Sequence, residues 1–293
     1  MHLAEGTLPL AHAALWTAVA AVPLTWSLAG ERHAAPPDER ALTATATAVI
    51  FAASLFPIPV PVAGASSHIC LTPLFALMVG VRRVVWPTAC VLAAHALFFA
   101  HGGLTTLGAN LLTLGVIGPV SALALFALLR ACRVPAFPAV AASCAIADLC
   151  VYVGDAALLA FGLARSVAPA QTFTAVLLGF APTQIPLAVL EGALSAYALR
   201  ALAARDRVPA RLRLGRSAAA AFAVVALTGC AVTGIDESVF AATAERAGQP
   251  ARASLLDLSG SELGLAATIA LLFGAGFVTG RFVQASQQRD DAR

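Results

Sequence analysis

The 293-residue chain contains no lysine. Its basic side rests on 18 arginines, and charged residues make up only 11% of the whole, whereas soluble domains carry ~25%. An ordinary soluble domain is therefore excluded, and no basic patch for nucleic acid stands out. The six cysteines are scattered, mostly inside apolar runs, and form no CxxC pair, so they read as small buried hydrophobes. Only Cys70, two residues after His68, stands where it could matter. Also missing are the GxxxxGK[ST] phosphate loop and the HExxH metal pair, so no ATPase site of its own is expected. The N-terminus lacks the positive opening and the ~7–15 apolar residues of a secretory leader and is expected to remain uncleaved.

What the chain has instead is apolar length. With 60% hydrophobic residues and a mean hydropathy of +0.86, it reads as a membrane protein. Runs approaching ~20 apolar residues are candidate spans, and nine stand out: 11–28, 41–56, 71–81, 84–100, 111–129, 139–163, 173–203, 217–232 and 263–283. The expected fold is an all-α polytopic membrane helix bundle. The third run is too short to cross unaided, so it is tilted, extended by residues 67–70, or re-entrant. Cytoplasmic loops are enriched in arginine, and placing the N-terminus outside and the C-terminus in the cytoplasm puts 15 of 18 arginines on the inside. Arg165, Arg246 and Arg252 are the exceptions. The arginine-rich stretch from Arg205 to Arg216 divides the chain into residues 1–207 and an appended two-span module, 208–293, with an external stretch at 234–261. The acids of that stretch, among them Asp236, Glu237, Glu245 and Asp257, either draw cations to the mouth or belong to a solvated loop.

That orientation brings Met1, His2, His68 and His101 to the same side of the membrane. Met1 and His2 together make a chelate. The Met1 amine, the His2 backbone nitrogen and a His2 ring nitrogen close two fused rings around one ion and fill three corners of a plane, a geometry suited to Ni(II), Cu(II) or low-spin Co(II). The alternative is a flexible terminus with an incidental histidine. His68 is the candidate for the fourth corner, since it follows an uncharged segment with prolines at 57, 59 and 61, expected to be stiff and extended. His101 opens a stretch rich in glycine and threonine, residues 101–110, and either bonds a carbonyl at a helix end or holds a metal-bound imidazole. His95 reads as an interior, bonded histidine, His12 as a helix-start residue and His33 as part of a cytoplasmic loop. Asp148, Asp155 and Glu191 fall inside spans, where an ionisable group costs ~2.5–3.5 kcal/mol, so each must face protein or water. Glu191 is expected to hydrogen-bond between helices in the cytoplasmic half, far from His2.

At these residues the sequence resembles the CbiM/NikM family, the substrate-specific component of energy-coupling-factor transporters for cobalt or nickel. The resemblance rests on Met1-His2 with Glu5-Gly6, on Ser66-Ser67-His68, on the uninterrupted motif of residues 100–110, and on the segments around Asp148 and Glu191. It covers roughly residues 1–203. It implies metal ligation by the Met1 amine, the His2 backbone and ring nitrogens and the His68 ring, with Ser67, His101 and Asn110 around them. It also implies Co2+ or Ni2+ as cargo, a transmembrane coupling subunit and cytoplasmic ATPase subunits as partners, and a bacterial cell membrane as location. The C-terminal module resembles the two-span CbiN/NikN partner in layout. One departure stands out: the family usually continues Pro-Thr-Gly after the histidine, and this chain has Ile69-Cys70-Leu71-Thr72. Two other readings compete, an intramembrane metalloenzyme built on His95, His101, Asp148 and Glu191, and a metal sensor or scaffold that does not transport.

Overall fold

The computed structural model describes residues 2–31, 37–55, 58–60, 65–99, 101–203 and 237–252. Met1, His33, the arginine-rich segment 205–216 and the apolar runs 217–232 and 263–283 lie outside the described residues. Within them the chain is helical, apart from one short hairpin. Helix α1 is Leu10–Glu31 and α2 is Pro37–Leu55. Strands β1 (Ile58–Val60) and β2 (Ala65–Ser67) then pair antiparallel, Ile58 opposite Ser67. This hairpin is the one departure from an all-α chain. It falls on the segment that the prolines marked as extended.

Helix α3 is Thr72–Val79 and α4 is Val81–Phe98, with only Gly80 between them. Next come α5 (Leu107–Leu112), a π-helical turn (Thr113–Ile117) and α6 (Gly118–Ala131), stacked as one rod. Helices α7 (Ala136–Gly162) and α8 (Pro169–Ala203) follow, and α8 runs on through Pro182 and Pro186. Farther along the chain, a π-helical turn at Glu237–Ala241 leads into α9, Ala242–Arg246.

Among the described residues four helices are long and apolar enough to cross a membrane: Leu10–Gly30, Leu107–Ala131, Ala136–Gly162 and Pro169–Ala203. The third apolar run is short, as the sequence indicates. At 1.5 Å per residue the eight residues of α3 reach only about 12 Å, well short of a ~30 Å hydrocarbon core. Seven of those eight residues are buried in protein, so α3 is an interior element.

Two apolar clusters hold the bundle. One joins α1, α5, α7 and α8 through Leu3, Leu8, Val151, Leu159, Val176 and Phe180. The other packs α3 against α2, α4, α6, α7 and α8 through Phe51, Leu77, Val91, Phe126 and Val140. The expected external stretch is not simply solvated: Phe240 is fully buried, with its ring 4.5 Å from that of Phe180.

Helix α1 meets α5 at Gly108, where an added Cβ would press on the Thr17 backbone and lie 2.8 Å from Thr17 Oγ1. Gly108→Val should therefore push α1 off α5 at a cost of about 1–3 kcal/mol, as overpacking does. Thermal unfolding in detergent checks this, and an unchanged midpoint would show that the two helices are not in firm contact.

Candidate metal site

The N-terminal segment is seated by its backbone. Leu3 N–H donates to Asn110 Oδ1 at 2.8 Å, while Asn110 Nδ2 (3.2 Å) and Thr106 Oγ1 (2.6 Å) donate to the Leu3 carbonyl. Asn110 has both an acceptor and a donor on one planar amide, so it can take both backbone groups of a single residue. Two residues on, the Thr105 N–H donates to Glu5 Oε2 at 3.1 Å. Gly103 allows this seating, since a Cβ there would stand 2.6 Å from Glu5 Cα. From the far end of the chain the Arg252 N–H donates to the Glu5 carbonyl at 2.9 Å. Residues 101–110 are thus a socket for residues 2–5, and Leu3, with no exposed surface, fills it.

Seating residues 2–5 carries His2 into a group of imidazoles. His2 and His68 are both buried, and His68 Nε2 lies 3.1 Å from His2 Nδ1. The His101 ring meets the His2 ring edge to face at 4.4 Å, and the His68 ring at 5.2 Å. One ring nitrogen from each of His2, His68 and His101 lies within 4.8 Å of the others. His95 stands behind them with its ring 5.9 Å from that of His2, and its Nε2 is 3.3 Å from the Phe51 carbonyl. It is the interior, bonded histidine the sequence indicates. His12 sits in the first turn of α1 against Phe161. Ser67 ends β2, opposite Ile58, directly before His68.

The separation of the two leading nitrogens bears on the chemistry. Adjacent corners of a square with metal–nitrogen bonds of ~2.0 Å are about 2.8 Å apart, so 3.1 Å between His2 Nδ1 and His68 Nε2 suits two neighbouring corners. Opposite corners would stand about 4 Å apart on the same bond length. A metal also needs lone pairs free of protons. Burial holds the His2 imidazole well below its ordinary range, and the nearby His101 ring adds to this. Burial also brings His101 down to about 4. Burial thus favours the neutral rings, whose lone pairs are free of protons.

Glu191 is the other correction. Its two carboxylate oxygens accept from the backbone N–H groups of Cys70 and Leu71, each at 2.9 Å. It therefore sits two residues along the chain from His68 and not at the far end of the bundle. Placing a carboxylate at the N-terminus of α3 is favoured by the helix dipole. It also holds Leu71 in the left-handed region, φ 56°, where a bulky residue is strained. Nothing in the pattern of residues 180–192 pointed to this, because the partner is backbone from a segment 120 positions away. The roles of Thr105, Thr106 and Glu5 were also unseen, although their clustering in short polar stretches was the available signal.

Neutral imidazoles in the fold have a consequence for stability. Above pH ~6.5 a histidine is neutral both folded and unfolded and the fold keeps its full stability. Below that the unfolded chain takes up the proton first, so stability falls by up to about 1.4 kcal/mol per pH unit for each such histidine. For His101 the loss continues down to about pH 4. The metal-free protein should therefore lose thermal stability more steeply between pH 7 and 5 than a His101→Gln variant does. Parallel slopes would contradict a neutral His101.

Residues 2–209 match the family model of the CbiM cobalt uptake substrate-specific transmembrane region. The "Cobalt transport protein CbiM" of Sorangium cellulosum is 39% identical over 207 residues, covering 70% of this chain and 92% of the relative. That of Geobacter sulfurreducens is 42% identical over 200 residues, covering 67% of this chain and 57% of the relative. A crystal structure described as a truncated transition metal transporter superposes with a TM-score of 0.60 over 69% of this chain and 98% of its own, and at 19% identity the likeness is one of fold. The matched region contains the socket, the histidines and the long apolar helices alike, and this multi-pass membrane chain belongs to the CbiM family of cobalt uptake proteins.

Proposed function

We propose that this chain captures Co(II) at the outer face of a bacterial inner membrane, as the substrate-specific subunit of an energy-coupling-factor importer. The observation that carries this reading is the 3.1 Å approach of His68 Nε2 to His2 Nδ1, in a socket that holds the His2 backbone beside it. The ion takes the Met1 amine, the His2 backbone nitrogen, His2 Nδ1 and His68 Nε2 as four corners of a plane. His101, packed edge to face on the His2 ring, orients that ring, as groups around metal ligands commonly do. The relatives' cobalt names favour Co(II), and Ni(II) is the competing cargo because four nitrogens in a plane suit both ions.

The chain acts as a transport component and not as an enzyme. Transport draws its energy from cytoplasmic ATPase subunits through a transmembrane coupling subunit. Support for that docking is the flank of α1, where Leu10, Ala14, Thr17, Ala18 and Ala21 line a groove of about 440 Å³ with Leu104. Small residues of this kind let a partner helix approach closely. The groove reaches Thr105, whose backbone holds Glu5, so a helix seated there touches the socket. The C-terminal module is a fused CbiN/NikN-like partner. Its segment 237–252 reaches the socket through Arg252, which supports placing that segment and the N-terminus on the same, outer side. The metalloenzyme reading is disfavoured because Asp148 and Glu191 group with Cys70, apart from the histidines.

Two experiments test the reading. Adding one glycine before Met1 moves the amine out of chelate range and should abolish tight Co(II) binding, read by calorimetry on the purified chain; an extended protein that binds as well as the native one rules out the amine. His68→Ala should remove tight binding and cobalt uptake by cells carrying the partner subunits, whereas His101→Ala should weaken binding about 10–100-fold. A larger loss from His101→Ala than from His68→Ala would mean that His101 is the fourth ligand.

A further inference from the structure

Beyond His68 the same coil brings a second set of donors together. Cys70, Asp148 and Glu191 come from the coil before α3, from α7 and from α8, and all three are buried. One donor atom of each, the Cys70 Sγ and one oxygen of each carboxylate, lies within 4.8 Å of the others. The partners are only partly satisfied. Asp148 Oδ2 accepts from Gln184 Nε2 at 2.5 Å, but Asp148 Oδ1 is buried with no hydrogen bond, and so is Gln184 Oε1. Glu191 spends one lone pair of each oxygen on Cys70 N–H and Leu71 N–H and keeps the others. Among the described residues no arginine touches either carboxylate, and the chain has no lysine.

Two carboxylates and a thiol buried together without a cationic side chain need either protons or a cation to balance them. The Cys70 thiol hydrogen-bonds to the Asp148 carboxylate, which keeps one buried oxygen without a partner within a group of three clustered donors, an arrangement that a cation replacing the thiol proton completes. We propose that Cys70, Asp148 and Glu191 form a second site for a divalent transition metal, distinct from the histidine site in donor chemistry. One soft sulfur with two hard oxygens suits four-coordinate Zn(II) or Co(II) and differs from a nitrogen plane in both softness and geometry. Three protein ligands leave one position open, the pattern of a site that exchanges its ion or ligand. On binding, the thiol and any carboxylic acid release their protons to solvent, and no electron is transferred.

The coil links the two sites. Cys70 and His68 are two residues apart, and Leu71 between Cys70 and α3 is held in its strained conformation by the same Glu191. An ion drawn toward Glu191 therefore pulls on the segment that carries His68. As a corollary resting on the uptake function proposed above, the second site is where an ion released by the histidines lodges next on its way inward.

The test is titration of the full chain in detergent with Co(II) alone, read by optical absorption, in the native protein and in His2→Ala, Cys70→Ser and Asp148→Asn variants whose melting shows them folded. Thiolate ligation gives a sulfur-to-cobalt charge-transfer band that nitrogen ligation lacks. The expected result is that His2→Ala loses the nitrogen site but keeps a Co(II) ion with the sulfur band. Cys70→Ser should lose that band and keep the nitrogen site, and Asp148→Asn should weaken the band's Co(II) affinity at least roughly tenfold. Absence of a sulfur band from both native protein and His2→Ala overturns the proposal. Its persistence in Cys70→Ser does the same. A sulfur band in a protein that supports no cobalt uptake would leave this site standing and overturn the uptake function instead.

Discussion

The histidine cluster depends on one backbone residue being gripped from both sides. Asn110 takes the N–H and the carbonyl of Leu3 on a single amide, and Thr106 shares the carbonyl. A chain terminus is ordinarily the least ordered part of a protein. Here the grip holds the adjoining His2 buried among other imidazoles. The fixation also accounts for the close packing along residues 101–110, because a side chain at Gly103 would occupy the space of the Glu5 backbone.

Burial then does chemical work. Three imidazoles within 4.8 Å of one another would repel if charged, and desolvation penalises charge as well. Burial keeps the cluster neutral, with its lone pairs available, and the closest pair, His2 and His68, shares a hydrogen bond.

The second constraint is the break in regular structure before α3. Backbone N–H groups at a helix start have no partner within the helix, and buried ones are costly. Glu191 supplies both acceptors at Cys70 and Leu71. One buried carboxylate thereby fixes the helix start, the strained Leu71 and, through two residues of coil, the height of His68. Substitutions of Glu191 should be felt at the histidines for that reason, although it touches neither.

Sequence alone determined the class of protein and the identity of the ligands' neighbourhood. Apolar run length and the scarcity of charged residues marked a membrane helix bundle, because lipid admits few charges and spans need length. Seven of the nine apolar runs, those at 11–28 through 173–203, correspond to the helices α1 through α8. The grouping of His2, His68 and His101 was legible because imidazoles next to glycine, serine and proline are unusual in so apolar a chain. What sequence could not decide was anything resting on contacts between distant segments. The clamp of Asn110 on Leu3 spans 107 positions and that of Glu191 on Cys70 spans 121. Neither leaves a local periodicity, since one partner is backbone, which every residue carries alike. The eight-residue length of α3 was likewise decided by packing: an apolar run is the same string whether it crosses lipid or ends at Gly80 inside the protein, and only the surrounding helices, which bury it on all sides, made it the latter.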